Sequence, residues 1–268
     1  MPLDILIYQD GYAALGMMTR SLKQSFNDLS CRFMEIHIED IRNGILRTGE
    51  PTLLVIPGIY GEDCNYHKDL DKTALSEIHA FLEQGGVSLH SCAGASAVSS
   101  LCTYVTPWDV IRHRTSINPI FNGHANGPLW PYAVKPQPAG KERFSPLANT
   151  SLAPITFRDE NGEWQQTHVS YGNGPGLIVP DRQDNVEILA RYHEISNQPA
   201  ALLRVTLGRG AAYLCSPHPE NAPTEIADNG KFTTIRHLNS QLIPHEEGRR
   251  KFWNMLTGRI RQDLKLAL

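Results

Sequence analysis

The sequence predicts an α/β protein built on a doubly wound parallel sheet, and three observations carry that expectation. Short, continuous apolar runs recur at 3–9 (LDILIYQ), 51–58 (PTLLVIPG) and 86–91 (GVSLHS), as in strands buried on both faces. The stretches between them carry apolar residues at helical spacing. Strand and helix signals therefore alternate, which is the pattern of βαβ units.

Each element follows in order. After the first strand, GYAALGMMTRSLKQSF places Leu15, Met18, Leu22 and Phe26 on one helical stripe. CRFMEIHI (31–38) alternates as a strand, and PTLLVIPG is the next. DKTALSEIHAFLEQGG is an amphipathic helix with Leu75, Ile78, Phe81 and Leu82 on one side. Gly85 is its expected stop, and Asp69 is a candidate for its N-terminal cap. GVSLHS returns to strand, and AGASAVSSLCTYV reads as a helix of small residues able to pack closely on a sheet. From 106 to 150 the periodicity dissolves into Pro, Gly, Asn and aromatics. With Trp108, Phe121, Trp130 and Tyr132 in it, this stretch is expected to be an ordered flap over the carboxyl-end crevice.

Strand-like pieces follow: APITFRD, QTHVSYG, GLIVP, VEILARYH, AALLRVTLG and GAAYLCSPH, with DENGE (159–163) as a hairpin turn. A final amphipathic helix over 246–265 aligns Phe252, Leu256, Ile260 and Leu264. No repeat and no break in composition divides the chain, so one domain over 1–268 with an embellished second half is expected.

Composition removes several function classes. The 268 residues are 41% hydrophobic and 20% charged, with a net charge of −3, which offers no electrostatic footprint for nucleic acid or an anionic membrane. No apolar stretch approaches the roughly 18 residues a membrane helix needs. MPLDILIYQDGY lacks the basic and long apolar regions of a signal peptide. Five cysteines form no CxxC pair, and their odd number argues against a disulfide framework, so a reduced, cytoplasmic setting is expected. Cys215 and His218 have no second ligand pair at metal spacing and HExxH is absent, so neither metal nor other cofactor is expected.

Chemistry is expected at the carboxyl ends of the strands. Cys92 stands between a strand and a small-residue helix; His218 and Glu220 flank Pro219 in SPHPE, after another strand. A thiol nucleophile needs an imidazole to take its proton and a third group to orient that imidazole, and these residues supply all three. The amide of Ala93, with that of Gly58 or Ile59, could hold a developing oxyanion. A helix start after Cys92 would favour its thiolate. The plainer alternatives are a core cysteine, an ordinary histidine among eleven, and a solvated glutamate.

YQDGY, IPG…GEDCNYHKDL, GGVSLHSCAGA, GHANGPLWP, YGNGPGL, ILARY and SPHPE together resemble the family named for the N-terminal domain of biotin–protein ligases. That family lies within the class I glutamine amidotransferase-like superfamily. The resemblance covers roughly residues 3 to 220. It implies a flavodoxin-like three-layer sandwich and an amidase-type Cys92–His218–Glu220 triad. It is also consistent with Glu62, Asp63, Asn65, Tyr171 and Asn173 as substrate contacts, although YGNGPGL reads equally well as a glycine-rich turn.

Two positions depart from the family pattern. His90 stands where a glycine usually precedes the nucleophile by two residues, and either crowds the turn or faces the site itself. Ile59 stands where the usual segment is PGG. The residues after 220 are too few for a ligase domain, so biotin ligation is not expected.

The expected function is a cysteine-dependent amide hydrolase or glutaminase-like enzyme working through a thioester. Its partners would be a small-molecule or peptide amide and, if ammonia is passed on, an acceptor protein; nucleic acid and membrane are not expected. The alternative is a catalytically silent amidotransferase-like module that binds a partner or small ligand.

Overall fold

In the computed structural model the described residues are 2–9, 15–47, 49–58, 66, 70–98, 101–102, 116–117, 132–134, 151–172, 174–179, 184–193, 198–223 and 240–266. Five strands run parallel through the centre of the sheet: β1 (Leu3–Tyr8), β2 (Cys31–Ile36), β3 (Thr52–Ile56), β4 (Val87–Ser91) and β13 (Gly210–Cys215). Their spatial order is β2-β1-β3-β4-β13. This is the flavodoxin-like order, with the first strand inside and the chain winding outward in both directions.

Helices cover both faces because the strands are apolar on both. Leu3, Ile5 and Ile7 of β1 pack with Met18 and Leu22 of α1 (Leu15–Ser25) and with Phe252, Leu256 and Ile260 of α5 (Glu246–Asp263). Leu6 and Tyr8 turn to the opposite layer. There they join Ile41 of α2 (Ile38–Arg42), Leu75, Ile78 and Leu82 of α3 (Lys72–Glu83), and Ala95 of α4 (Ala93–Val98). Each fully buried aliphatic side chain contributes about 2 kcal/mol of transfer free energy, so the two apolar seams fix the three-layer arrangement.

Helix α3 ends where Gly85 was expected to stop it. Gly85 has φ +105°, and the amides of Gly85 and Gly86 bond back to the carbonyls of Leu82 and Phe81, a Schellman ending. Its N-terminal cap is Asp71, whose carboxylate accepts the Ala74 amide at 3.0 Å, rather than Asp69, which lies outside the described residues. The second strand stops at Ile36, short of the expected 38. The His37 amide donates to the Asp40 carboxylate at 2.8 Å, which fixes the start of the short helix α2.

The embellishment is antiparallel. β12 (Ala200–Leu207) lies against the outer edge of β13, and β11 (Val186–Tyr192) against β12. β11 leads on to the hairpin of β8 (Ser151–Arg158) and β9 (Trp164–Tyr171). Asp159 closes that hairpin by accepting the amides of Asn161 and Glu163 at 2.9 and 3.0 Å. β10 (Gly176–Ile178) pairs with β12 and with β7 (Tyr132–Val134), which extends to β5 (Leu101–Cys102) and β6 (Ser116–Ile117). Apart from β6 and β7, the expected flap over 106–150 lies outside the described residues. Among the described residues, no helix is long and apolar enough to cross a membrane.

Candidate active site

Parallel register decides which loops meet. Ile56 of β3 pairs with His90 of β4, and Ser91 pairs with Cys215 of β13. Extending those ladders sets Gly58, Cys92 and Ser216 side by side at one edge of the sheet. The Cys92 amide donates to the Cys215 carbonyl at 2.8 Å, so the turn is tied to the neighbouring strand end.

Cys92 itself has φ +49°, in the left-handed region that a side chain disfavours, and α4 begins at the next residue. This is a strand–turn–helix elbow that pushes one side chain out from the sheet end. Gly94 makes the elbow sterically feasible: a Cβ there would stand 2.2 Å from the Ile56 carbonyl oxygen. The Cys92 thiol donates to the Gly172 carbonyl at 3.3 Å and is 5% exposed.

The His218 segment reaches the same place from β13. The His218 amide donates to the Ser170 carbonyl of β9 at 2.8 Å, which anchors the loop to the antiparallel extension. Its Nδ1 lies 2.8 Å from Glu220 Oε1. An ionised carboxylate only accepts, so Nδ1 carries the proton and the neutral ring's Nε2 is left as the acceptor. Both side chains are buried. The His218 ring and Cys92 sit against Gly58: a Cβ on that glycine would be 2.8 Å from His218 Cε1 and 3.1 Å from Cys92 Cβ.

Burial alone would depress the His218 imidazolium. The negative charges at Cys92 and Glu220, and hydrogen bonds to both, outweigh it and raise His218 well above the ordinary imidazole value. Cys215 provides the contrast. Burial, reinforced by the charges of Glu220 and Cys92, drives its thiol well above the usual range, and its sulfur donates to the Pro217 carbonyl at 3.4 Å. Cys215 is thus a core thiol, whereas Cys92 faces a base.

Tyr171, an expected substrate contact, is buried, and its hydroxyl donates to the Gly174 carbonyl at 2.6 Å. Burial and the nearby Cys92 charge push its phenol upward. Gly174 in turn is pressed on Ser216, whose carbonyl oxygen would lie 2.1 Å from a Cβ. The YGNGPGL segment therefore packs directly on the strand end that leads to His218. Ala93 starts α4 beside Cys92 as expected. Ile59, Glu62, Asp63, Asn65 and Asn173 lie outside the described residues.

His90 does not face the site. Strand alternation places it with Ser88 on the layer of α3 and α4, fully buried, with Nε2 2.8 Å from the Ser88 hydroxyl. Burial pushes its imidazole down to about 3, so it is a neutral core group. Sequence reasoning missed Ser170, Gly172, Ser21 and Arg249, which hold the site from behind. No motif marks them, because a carbonyl or a single serine or arginine gains its role only from the chain brought against it. Among the described residues no cluster of three or more His, Cys, Asp or Glu could hold a metal ion.

The family model described as "Biotin-protein ligase, N terminal" matches residues 3–266. An uncharacterized protein of Chlamydia muridarum is 26% identical over 266 residues, covering 90% of this chain and 97% of its own length. Among solved structures, a GMP synthase component of Thermoplasma acidophilum aligns with TM-score 0.48 and 13% identity, over 91% of this chain and 98% of that one. A cytoplasmic protein of Salmonella typhimurium LT2 aligns with TM-score 0.43 and 12% identity, over 97% and 99% of the two chains.

Proposed function

The chain belongs to the biotin-protein ligase N-terminal family, and from that membership and the site geometry we propose that it is a cysteine-dependent amide hydrolase of the glutamine amidotransferase type. The observation that carries the reading is the meeting of an elbow cysteine at φ +49° with a His218–Glu220 pair at 2.8 Å on the adjoining strand end.

In this reading, His218 Nε2 takes the Cys92 proton and the thiolate attacks the carbonyl carbon of a carboxamide. The oxyanion that forms is held by backbone N–H groups, that of Ala93 and that of Gly58 or Ile59. Collapse of the tetrahedral species breaks the C–N bond as the His218 imidazolium gives its proton to the leaving amine. Water, deprotonated by the same nitrogen, attacks the thioester; the carboxylic acid leaves and the thiolate returns. Glu220 keeps Nδ1 protonated and stabilises the imidazolium formed twice in the cycle. The substrate is an amide carried by a small molecule or a peptide.

A second reading, a binding module without turnover, draws on the 5% exposure of Cys92 and on its thiol being committed to Gly172. The two readings part in one experiment. Iodoacetamide labelling of the folded protein, read by peptide mass spectrometry, is run beside ammonia release from a panel of primary amides. Selective labelling of Cys92 with turnover abolished by Cys92→Ala supports the hydrolase. A Cys92 that labels only on unfolding, with no turnover, supports the binding module.

A further inference from the structure

The segment carrying the histidine and the carboxylate is irregular, and Pro219 gives it one backbone donor fewer. What holds it can be counted group by group. The His218 amide donates to Ser170, and the His218 carbonyl accepts the Asn221 amide at 3.2 Å. The two remaining carbonyls are taken by side chains from two different helices. Arg249 of α5 donates one terminal guanidinium nitrogen to the Pro219 carbonyl. Ser21 of α1 donates its hydroxyl to the Glu220 carbonyl at 2.8 Å.

Both donors are buried, Arg249 at 6% exposure and Ser21 at 5%. The rest of the Arg249 fork is fixed on its own helix, with Nε and Nη2 2.6 and 2.8 Å from the two Glu246 carboxylate oxygens. The guanidinium thus bridges α5 to the loop as a rigid plane. On the other side of the peptide, Glu220 Oε1 meets His218 while Oε2 has no hydrogen-bond partner among the described residues. With one oxygen unheld, the aim of the carboxylate depends on where the backbone of residues 219 and 220 is placed.

We infer that Arg249 and Ser21 are positioning residues for the proposed triad, clamping the two carbonyls of Pro219 and Glu220 so that Glu220 Oε1 meets His218 Nδ1 and the ring meets Cys92. The inference rests on the hydrolase reading of Cys92, His218 and Glu220, and neither residue touches a reacting atom. Loss of the clamp changes how well the imidazole is oriented, and so how readily Cys92 gives up its proton.

The test is the rate of iodoacetamide modification of Cys92 across pH in the folded full chain, with thermal melts as the control for folding. The variants are Ser21→Ala, Arg249→Ala, Arg249→Lys and His218→Ala. Ser21→Ala changes no charge, so an effect on the rate reports geometry. At neutral pH we expect it to slow labelling about threefold and Arg249→Ala about tenfold, on the scale of one lost hydrogen bond to a neutral or a charged donor. Arg249→Lys should recover part of the loss, and the labelling profile of each slowed variant should move to higher pH. If Arg249→Ala does not fold, Ser21→Ala decides alone. Folded clamp variants that label at the wild-type rate, while His218→Ala is slow, overturn the inference and leave the triad standing. Wild-type labelling in His218→Ala overturns the triad itself.

Discussion

Across Pro219, the His218 ring donates from Nδ1 to Glu220 at 2.8 Å, and the same ring bonds to the Cys92 thiol. One imidazole therefore joins a carboxylate to a thiol, each on its own nitrogen. The order of effects on labelling follows from that geometry. His218→Ala deletes the base and should slow Cys92 alkylation by more than tenfold. Glu220→Gln keeps an acceptor within reach of Nδ1 but removes a charge that supports the imidazolium, and should slow it several-fold less. Peptide mass spectrometry after timed quenching measures both. Equal rates in the wild type and Glu220→Gln would remove the carboxylate from the mechanism.

Gly58 sits against both reacting partners. Gly58→Ala would place a methyl group 2.8 Å from His218 Cε1 and 3.1 Å from Cys92 Cβ, so the imidazole must move. A shift of this kind is expected to cost about a hundredfold in kcat/KM on any amide that proves to be turned over. The stability loss should stay near 1–2 kcal/mol, because a side chain yields rather than backbone. Steady-state kinetics and denaturant unfolding separate the two effects. A large stability loss with unchanged kcat/KM would contradict the placement.

Cys92 is held at φ +49°, which costs a side-chain-bearing residue on the order of 1 kcal/mol. Cys92→Gly removes that strain and should leave the melting temperature unchanged or higher, while abolishing turnover. Cys92→Ala keeps the strain and should fall slightly below the wild type. A core cysteine in relaxed backbone would show the reverse order, with glycine the worse substitution. Thermal melts of the three proteins decide it.

His90 governs acid behaviour. Its folded value lies near 3 against 6.5 for the free imidazole, so below 6.5 the unfolded chain binds a proton that the folded one refuses. Its contribution is intact above pH 6.5 and is lost as pH falls from there towards 3. By pH 5 the loss reaches about 2 kcal/mol. His90→Gln keeps a partner for Ser88 without titrating, so its stability should fall less between pH 7 and pH 5, as read by urea unfolding. Parallel pH dependence in the two proteins would show that His90 is not neutral in the fold.

The parts of this fold legible in sequence were those decided by local pattern. Continuous apolar runs marked β1, β3 and β4, and the Leu75, Ile78 and Leu82 spacing marked the buried face of α3, because burial on two faces or on one stripe leaves a period in the residues. Cys92 and the His218–Glu220 pair stood out because a nucleophile elbow and a base on a stiff loop restrict residue types over a few positions. What alternation did not reveal was which layer His90 faces, since period two separates it from Leu89 and Ser91 without saying where the crevice lies. Helix α2 was hidden because five residues are too few to show helical periodicity. Ser21 and Arg249 were hidden for a different reason. Each is an ordinary polar residue of a helix, and only the approach of the Pro219–Glu220 segment makes it a clamp.

The position of β13 has a consequence for how the protein is made. It lies between β4 and β12 at the heart of the sheet, yet it is the last strand to be synthesised among those described. Until it emerges from the ribosome, the edge of β4 that ends in Cys92 has no neighbour to accept its amides, and the thiol has no base. The nascent chain therefore carries an unpaired apolar edge through most of its translation, the kind of surface that chaperones shield. Insertion of one strand then closes the sheet and delivers His218 and Glu220 to the cysteine in the same event, so an incompletely folded chain holds an unarmed thiol.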